Sequence, residues 1–229
     1  MKRLLIFSLS LLVVIVVSLS TDTQRVEAGV IYDNGGPDLQ NGIFSDFAAI
    51  PPQQVGDDFV LSPGANVITD IHWWGGYDTS VPANDVFSIR LFNITSGSPD
   101  TNPSYSTIIG GVTHFDTGNK ILAGSLSGFE VFEYAVDVAP ISLIAGTPYL
   151  LSIVNGSGIA DTWFWATTSL PDISSASVRS SDGNAWTTIL PEAEMAFNFT
   201  STPIPEPSTL LLFGVGLVGV GLLRRRFKK

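Results

Sequence analysis

Asp57 and Asp58 stand side by side in the stretch VGDDFVL, and Asp33, Asn34 and Asp38 surround a glycine-rich turn. Carboxylates near such turns are hard oxygen ligands, so the chemistry available to Asp57 and Asp58 is the capture of a structural Ca²⁺. The same side chains also serve as turn formers and solvated charge. Five tryptophans offer a second chemistry. Trp73, Trp74, Trp163 and Trp165 could stack on sugar rings, with Tyr77 and Asp78 bonding the hydroxyls; in a β-sandwich the same indoles fill the core. A third chemistry is glycoside hydrolysis by two carboxylates that meet in space, although no acidic residue is singled out by its neighbours. His72 and His114 lie forty-two residues apart without a serine or further ligands at a motif spacing, and read as strand histidines. Nucleophile elbows, zinc-binding helices, phosphate loops and EF-hand loops are absent as patterns. Gly214–Gly219 matches G-x-G-x-x-G, but the ten residues that follow are too few for a βαβ unit. The expectation is therefore a chain with no catalytic residue and no cofactor beyond that calcium.

The elements that must carry these residues are strands. Phe87, Ile89 and Leu91 alternate with Ser88 and Arg90, and Phe132, Tyr134, Val136 and Val138 alternate with Glu133, Ala135 and Asp137. This period of two marks a strand with one buried face. PYLLSIV and AEMAFNFT repeat the pattern, while DNGGPD, LSPGAN, ITSGSPDTNPS, IAGTP, VNGSG and SDGNAW supply turns between them. Many short strands with Gly/Pro turns predict an all-β domain, an antiparallel sandwich of jelly-roll-like kind. Trp163 and Trp165 then share one face of their strand opposite Phe164, and Trp73 and Trp74 point to opposite faces.

Composition narrows the setting. The chain has no cysteine, which removes thiol catalysis and thiolate metal sites and leaves core burial as the source of stability. Between residues 29 and 202 the cations are Arg90, Lys120 and Arg179, against eighteen carboxylates, a balance of about −15. So acidic a domain repels nucleic acid, which is set aside as a partner. At the N-terminus, Lys2 and Arg3 precede an apolar run from Leu4 to Leu19, and Val26-Glu27-Ala28 offers a small-residue exit. This is the layout of a signal peptide over residues 1–28, removed by signal peptidase after Ala28.

The C-terminus has its own pattern. Pro203, Pro205 and Pro207 form a stiff extended lead, and Leu210–Leu223 has no polar side chain. With Ser208 and Thr209 the run gives a transmembrane helix over 208–223 about 24 Å long, just short of the roughly 30 Å hydrocarbon core. Arg224, Arg225 and Arg226 follow at once as a basic stop over 224–229, so the tail faces the cytoplasm and the domain lies outside.

Pro205-Glu206-Pro207-Ser208-Thr209, the glycine-rich apolar helix and the triple arginine, in this order at the terminus, closely resemble the PEP-CTERM sorting tail of Gram-negative bacteria. The resemblance covers residues 202–229 and implies recognition by an exosortase, a membrane-embedded cysteine transpeptidase acting near Pro-Glu-Pro. Residues 29–201 are similar to a β-rich extracytoplasmic module often found ahead of such tails, through YDNGG, VGDDFVL, DIHWWGGY, PYLLSIV, WFWA and AFNF. The resemblance implies an exported protein, held in the inner membrane until processed, then placed at the cell surface or in an extracellular polysaccharide matrix. The leading expectation is a non-enzymatic surface or matrix component. A carbohydrate-binding module and a secreted hydrolase are the alternatives.

Overall fold

The alternation in β5 (Val86–Thr95) shows how the chain becomes sheet. Phe87, Ile89 and Leu91 are fully buried on its inner face and join the main core, while Ser88 and Arg90 lie on the other. The computed structural model describes residues 29–79, 85–157, 162–169, 175–189 and 193–201. The signal peptide, the sorting motif at 205–209, the apolar helix at 208–223 and the basic stop lie outside the described residues. Among the described residues no helix is long and apolar enough to cross a membrane. The fold there is all-β, with one short 3-10 turn at Gly124–Leu126.

Two antiparallel sheets are formed. The spine of the first is β4 (Val67–Tyr77). It pairs along one side with β9 (Glu130–Ser142), and β9 pairs in turn with the outer strand β8 (Thr113–Lys120). On the other side β4 is shared. β15 (Phe197–Ser201) occupies Asp70–Trp73, and β11 (Trp163–Thr168) occupies Gly75–Tyr77. β1 (Gly29–Asp33) extends the sheet beyond β15, and the short strands β2 (Gly42–Phe44) and β14 (Glu194–Met195) flank β11. The second sheet runs β13 (Thr187–Thr188), β12 (Ser177–Arg179), β3 (Gln54–Val60), β10 (Pro148–Asn155), β5. It closes on β6 (Ser98–Pro99) and β7 (Tyr105–Gly110), both paired to β5.

The inner faces interlock through aromatic rings. Phe87 of the second sheet stands edge-on to Trp73 at 5.2 Å and to Trp163 at 5.0 Å between centroids, and Trp73 stacks on Tyr134 at 5.5 Å. Such pairs add about 0.5–1.5 kcal/mol each beyond the area they bury. The Trp-Trp-Gly-Gly sequence has a packing reason. A Cβ on Gly75 would lie 2.3 Å from the Phe164 carbonyl oxygen and 2.5 Å from the Trp163 indole, and one on Gly76 would lie 2.0 Å from the Glu130 carbonyl. Only glycine lets β11 and β9 approach β4 this closely.

The sheets are also covered on parts of their outer faces. Ile121, Leu126, Val131, Phe164 and Ala166 form a second, smaller apolar cluster on the first sheet, with Trp74 and Phe129 packed against it. Phe164, opposite Trp163 and Trp165, is thus buried as completely as they are.

Candidate functional site

The tryptophans expected as a sugar platform are mostly interior. Trp73, Trp163 and Trp165 are 0% exposed and Tyr77 is buried, so these residues make no face on which a sugar can stack. This corrects the stacking reading: the inward side of β4 and β11 is sealed by the second sheet. Trp165 donates its indole N–H to the Ala196 carbonyl at 2.9 Å, which ties β11 to the β14–β15 junction. Trp74 is half-buried against the smaller outer cluster.

An indole that borders a groove is that of Trp186, in the segment just before β13. With Asp58, Ser98, Ser177 and Thr188 it lines a surface groove of about 300 Å³, floored by Leu150 and walled by Pro99 and Pro148. The ring is fixed from behind. Its N–H donates to the Asp100 carbonyl at 3.3 Å, Phe92 stands edge-on at 5.2 Å, and the Arg179 guanidinium lies 4.4 Å from its centroid. Arg179 also lies 4.8 Å from the Phe92 centroid.

Arg179 belongs to a polar cluster on the outer face of the second sheet. It donates to Gln54 Oε1 at 2.7 Å, to the Thr101 carbonyl at 2.6 Å and to Asp182 Oδ1 at 3.0 Å. Arg90, from β5, donates to Ser88 and to the same Asp182 oxygen. Two of the domain's three cations therefore share one carboxylate. Burial would raise the Asp182 carboxyl, but the Gln54 hydrogen bond and the two guanidiniums outweigh it and hold the group below its ordinary range. Lone arginines in a strand and a turn carry no local pattern, and their convergence depends on β12 lying two strands from β10 and three from β5.

Asp57 and Asp58 diverge. As neighbours in β3 they point to opposite faces: Asp57 is fully buried between the sheets, whereas Asp58 lines the Trp186 groove. The pair accordingly does not converge on one ion, which corrects the shared calcium site. Among the described residues no group of three or more His, Asp or Glu side chains is arranged to hold a metal. Asp57 instead joins the sheets. Its Oδ2 accepts from the Met195 N–H at 2.7 Å and from Asn34 Nδ2 at 3.0 Å. Burial, followed by the nearby Glu194 charge, pushes its pKa well up, against the Met195 hydrogen bond.

The histidines lie apart. His72, on the outer face of β4, is held between Asp70 at 2.7 Å and Glu133 at 3.1 Å. The Asp70 hydrogen bond raises its pKa most; burial opposes this and Glu133 adds to it. His114 Nδ1 is 3.1 Å from Asp85 Oδ2. Asp85 is buried and accepts from the Tyr77 hydroxyl at 2.5 Å, which itself accepts from Asn155 Nδ2 at 2.7 Å. Burial raises the Asp85 carboxyl, with Tyr77 and His114 opposing. A second groove, beside Tyr77, is lined by Lys120, Glu130 and Phe132, and Lys120 pairs with Glu130 at 3.5 Å.

In comparisons with known proteins, a family model described as the PEP-CTERM protein-sorting motif matches residues 203–226. No curated protein and no solved structure matches the chain.

Proposed function

We propose that this chain, which carries a PEP-CTERM sorting motif at residues 203–226, is an exported protein without catalytic activity. In this reading an exosortase processes it, and it serves at the cell surface or in an extracellular polysaccharide matrix. Signal peptide 1–28 sends the domain across the inner membrane, helix 208–223 holds it there, and Arg224–Arg226 keep the end of the tail inside. The single observation that carries the reading is the motif match, which covers Pro205-Glu206-Pro207 and Arg224–Arg226. A non-catalytic domain is supported by the employment of its acids: Asp57 and Asp85 are buried in structural hydrogen bonds, and each described groove has one carboxylate in its lining. Glycoside hydrolysis needs two facing one cleft.

The prolines offer the exosortase an extended backbone, and Glu206 offers a carboxylate for a charge-assisted contact. Losing such a contact costs about 1.5–3 kcal/mol, a roughly ten- to hundredfold slower step. Glu206→Gln is therefore expected to accumulate in the inner-membrane fraction of a host with an exosortase, while the unaltered protein leaves it. Equal distribution of the two would refute recognition of the motif.

A second reading, glycan binding, is favoured by the groove at Trp186, where one indole adjoins hydroxyls and a carboxylate. The sugar it suits is neutral, because Asp58 and the acidity of the domain oppose a polyanion. Full-length protein is expected to retain a neutral glycan on an array, and Asp58→Ala to lose it with an unchanged melting temperature. Retention unaffected by Asp58→Ala, or none at all, ends that reading.

A further inference from the structure

The sheet edges in the described residues are not alike. β1 is broken by a register shift between Val30 and Tyr32 and ends in Asp33. β8 has a shift between Asp116 and Asn119 and carries Asp116 and Lys120. β2, β6, β13 and β14 are two or three residues long. Bulges, charges and shortness are the devices by which natural proteins keep sheet edges from pairing with other chains. β7 has none of them. Its six residues, Tyr105–Gly110, pair with β5 without a shift and include no charge and no proline. Among the described residues β5 is its one strand partner. Ile108, at its middle, is 73% exposed.

The main chain of β7 has a fixed polarity. Gly111 N–H donates to the Asp85 carbonyl at 2.8 Å, just past the strand. In an antiparallel ladder every second residue bonds to the neighbour, so Tyr105, Thr107 and Ile109 turn their amides to β5. Ser106, Ile108 and Gly110 turn theirs outward. Those outward residues are also the exposed ones, while Tyr105 and Ile109 pack against the core.

We propose that β7 is the strand through which two copies of this chain join their second sheets edge to edge. Charge selects the occupant. A domain near −15 repels its own copy over most of its surface, yet residues 101–113 contain no charged side chain. An uncharged, regular edge is where two such domains can meet. The pairing is self-complementary: an antiparallel strand pair about a two-fold axis presents the same patch from both sides. The outward amides and the requirement that both inner faces stay on one side fix a single central register. Ile108 lies opposite Ile108 of the second copy, and Ser106 lies opposite Gly110. Each pair exchanges both main-chain bonds, and the two isoleucines bury each other.

The chain has no cysteine, so one introduced residue reports the register. Opposed residues of a bonded antiparallel pair have Cα atoms about 5.5 Å apart, within disulfide reach. Ile108→Cys in the full-length, exported chain is expected to give a disulfide-linked dimer under mild oxidation. Ser106→Cys places its thiols about 13 Å apart, four residues of strand rise, and is expected to stay at least tenfold less linked. The Ser106→Cys/Gly110→Cys double variant should link again. Melting temperatures equal to that of the parent protein show that each variant is folded. Linkage of Ile108→Cys no greater than that of Ser106→Cys, or linkage to a different protein instead of a second copy, overturns the proposal. The readout does not depend on the tail, so its failure leaves the sorting reading standing, and the converse holds.

Discussion

Asp57 and His72 each contribute a falling stability with rising pH, in different windows and for different reasons. The Asp57 carboxyl is raised by burial and by Glu194, so its folded pKa exceeds the unfolded value near 3.8. The unfolded chain releases this proton first, and stability is lost from about pH 4 upward until the folded group ionises. His72 is raised above 6.5 by Asp70 and Glu133. Its contribution is complete below that value and is lost as pH rises through the folded pKa. Asp57→Asn keeps an acceptor for the Met195 N–H and removes the ionisation. It is expected to flatten the fall of melting temperature with pH that begins near pH 4. His72→Gln should flatten only the limb above 6.5. Melting curves across pH check both, and an unaltered profile in Asp57→Asn would mean that Asp57 ionises normally in the fold. Neither environment was legible from sequence. Asp57 and Asp58 look equivalent in a row of letters, and only the pleat of β3 sends one inward and the other to the groove. Trp186 was hidden likewise: it sits in a turn, where its packing on Arg179 and Phe92 depends on strands distant in the chain.

Strands with one clearly apolar face were the readable elements. β5 and β9 lie where Phe87-Ile89-Leu91 and Phe132-Tyr134 place them, because a period of two with one buried side has few alternatives. AEMAFNFT reads as one strand but forms two, β14 and β15. Ala196 between them donates to the Ala166 carbonyl at 2.9 Å and accepts from the Trp165 indole, bonds across the sheet that no local pattern announces. The outer cluster around Phe164 was half legible. Aromatic residues on both faces of WFWA imply cover on both sides, but the cover comes from the Ile121–Phe129 segment, remote in sequence. At Gly75 the meeting of β4 and β11 gives a direct test. Gly75→Ala forces a methyl against the Phe164 carbonyl and the Trp163 ring, and overpacking of this kind costs about 1–3 kcal/mol. A lowered denaturation midpoint with unchanged denaturant dependence is the expected result. A neutral Gly75→Ala would show that β11 can move away freely.

For the molecule as a whole, the tail was the most readable part because its information is linear. Proline spacing, apolar length and a basic stop act in order along the chain, whereas a binding surface on a sandwich is assembled from residues far apart. The same division runs through the physics. Residues 29–201 hold the described fold by burial and by hydrogen bonds such as those of Asp57, with no disulfide to assist, and their acidity suits an exported protein. Residues 203–226 carry the sorting motif. On this account the domain and the tail part company once the protein has crossed the membrane. The most direct measurement is the mass of the C-terminal peptide of mature protein recovered from a host that has an exosortase. The predicted result is a chain that ends near Pro205-Glu206-Pro207 and lacks Leu210–Lys229. Mature protein that still carries Lys229 would contradict sorting and leave residues 208–223 as a permanent anchor.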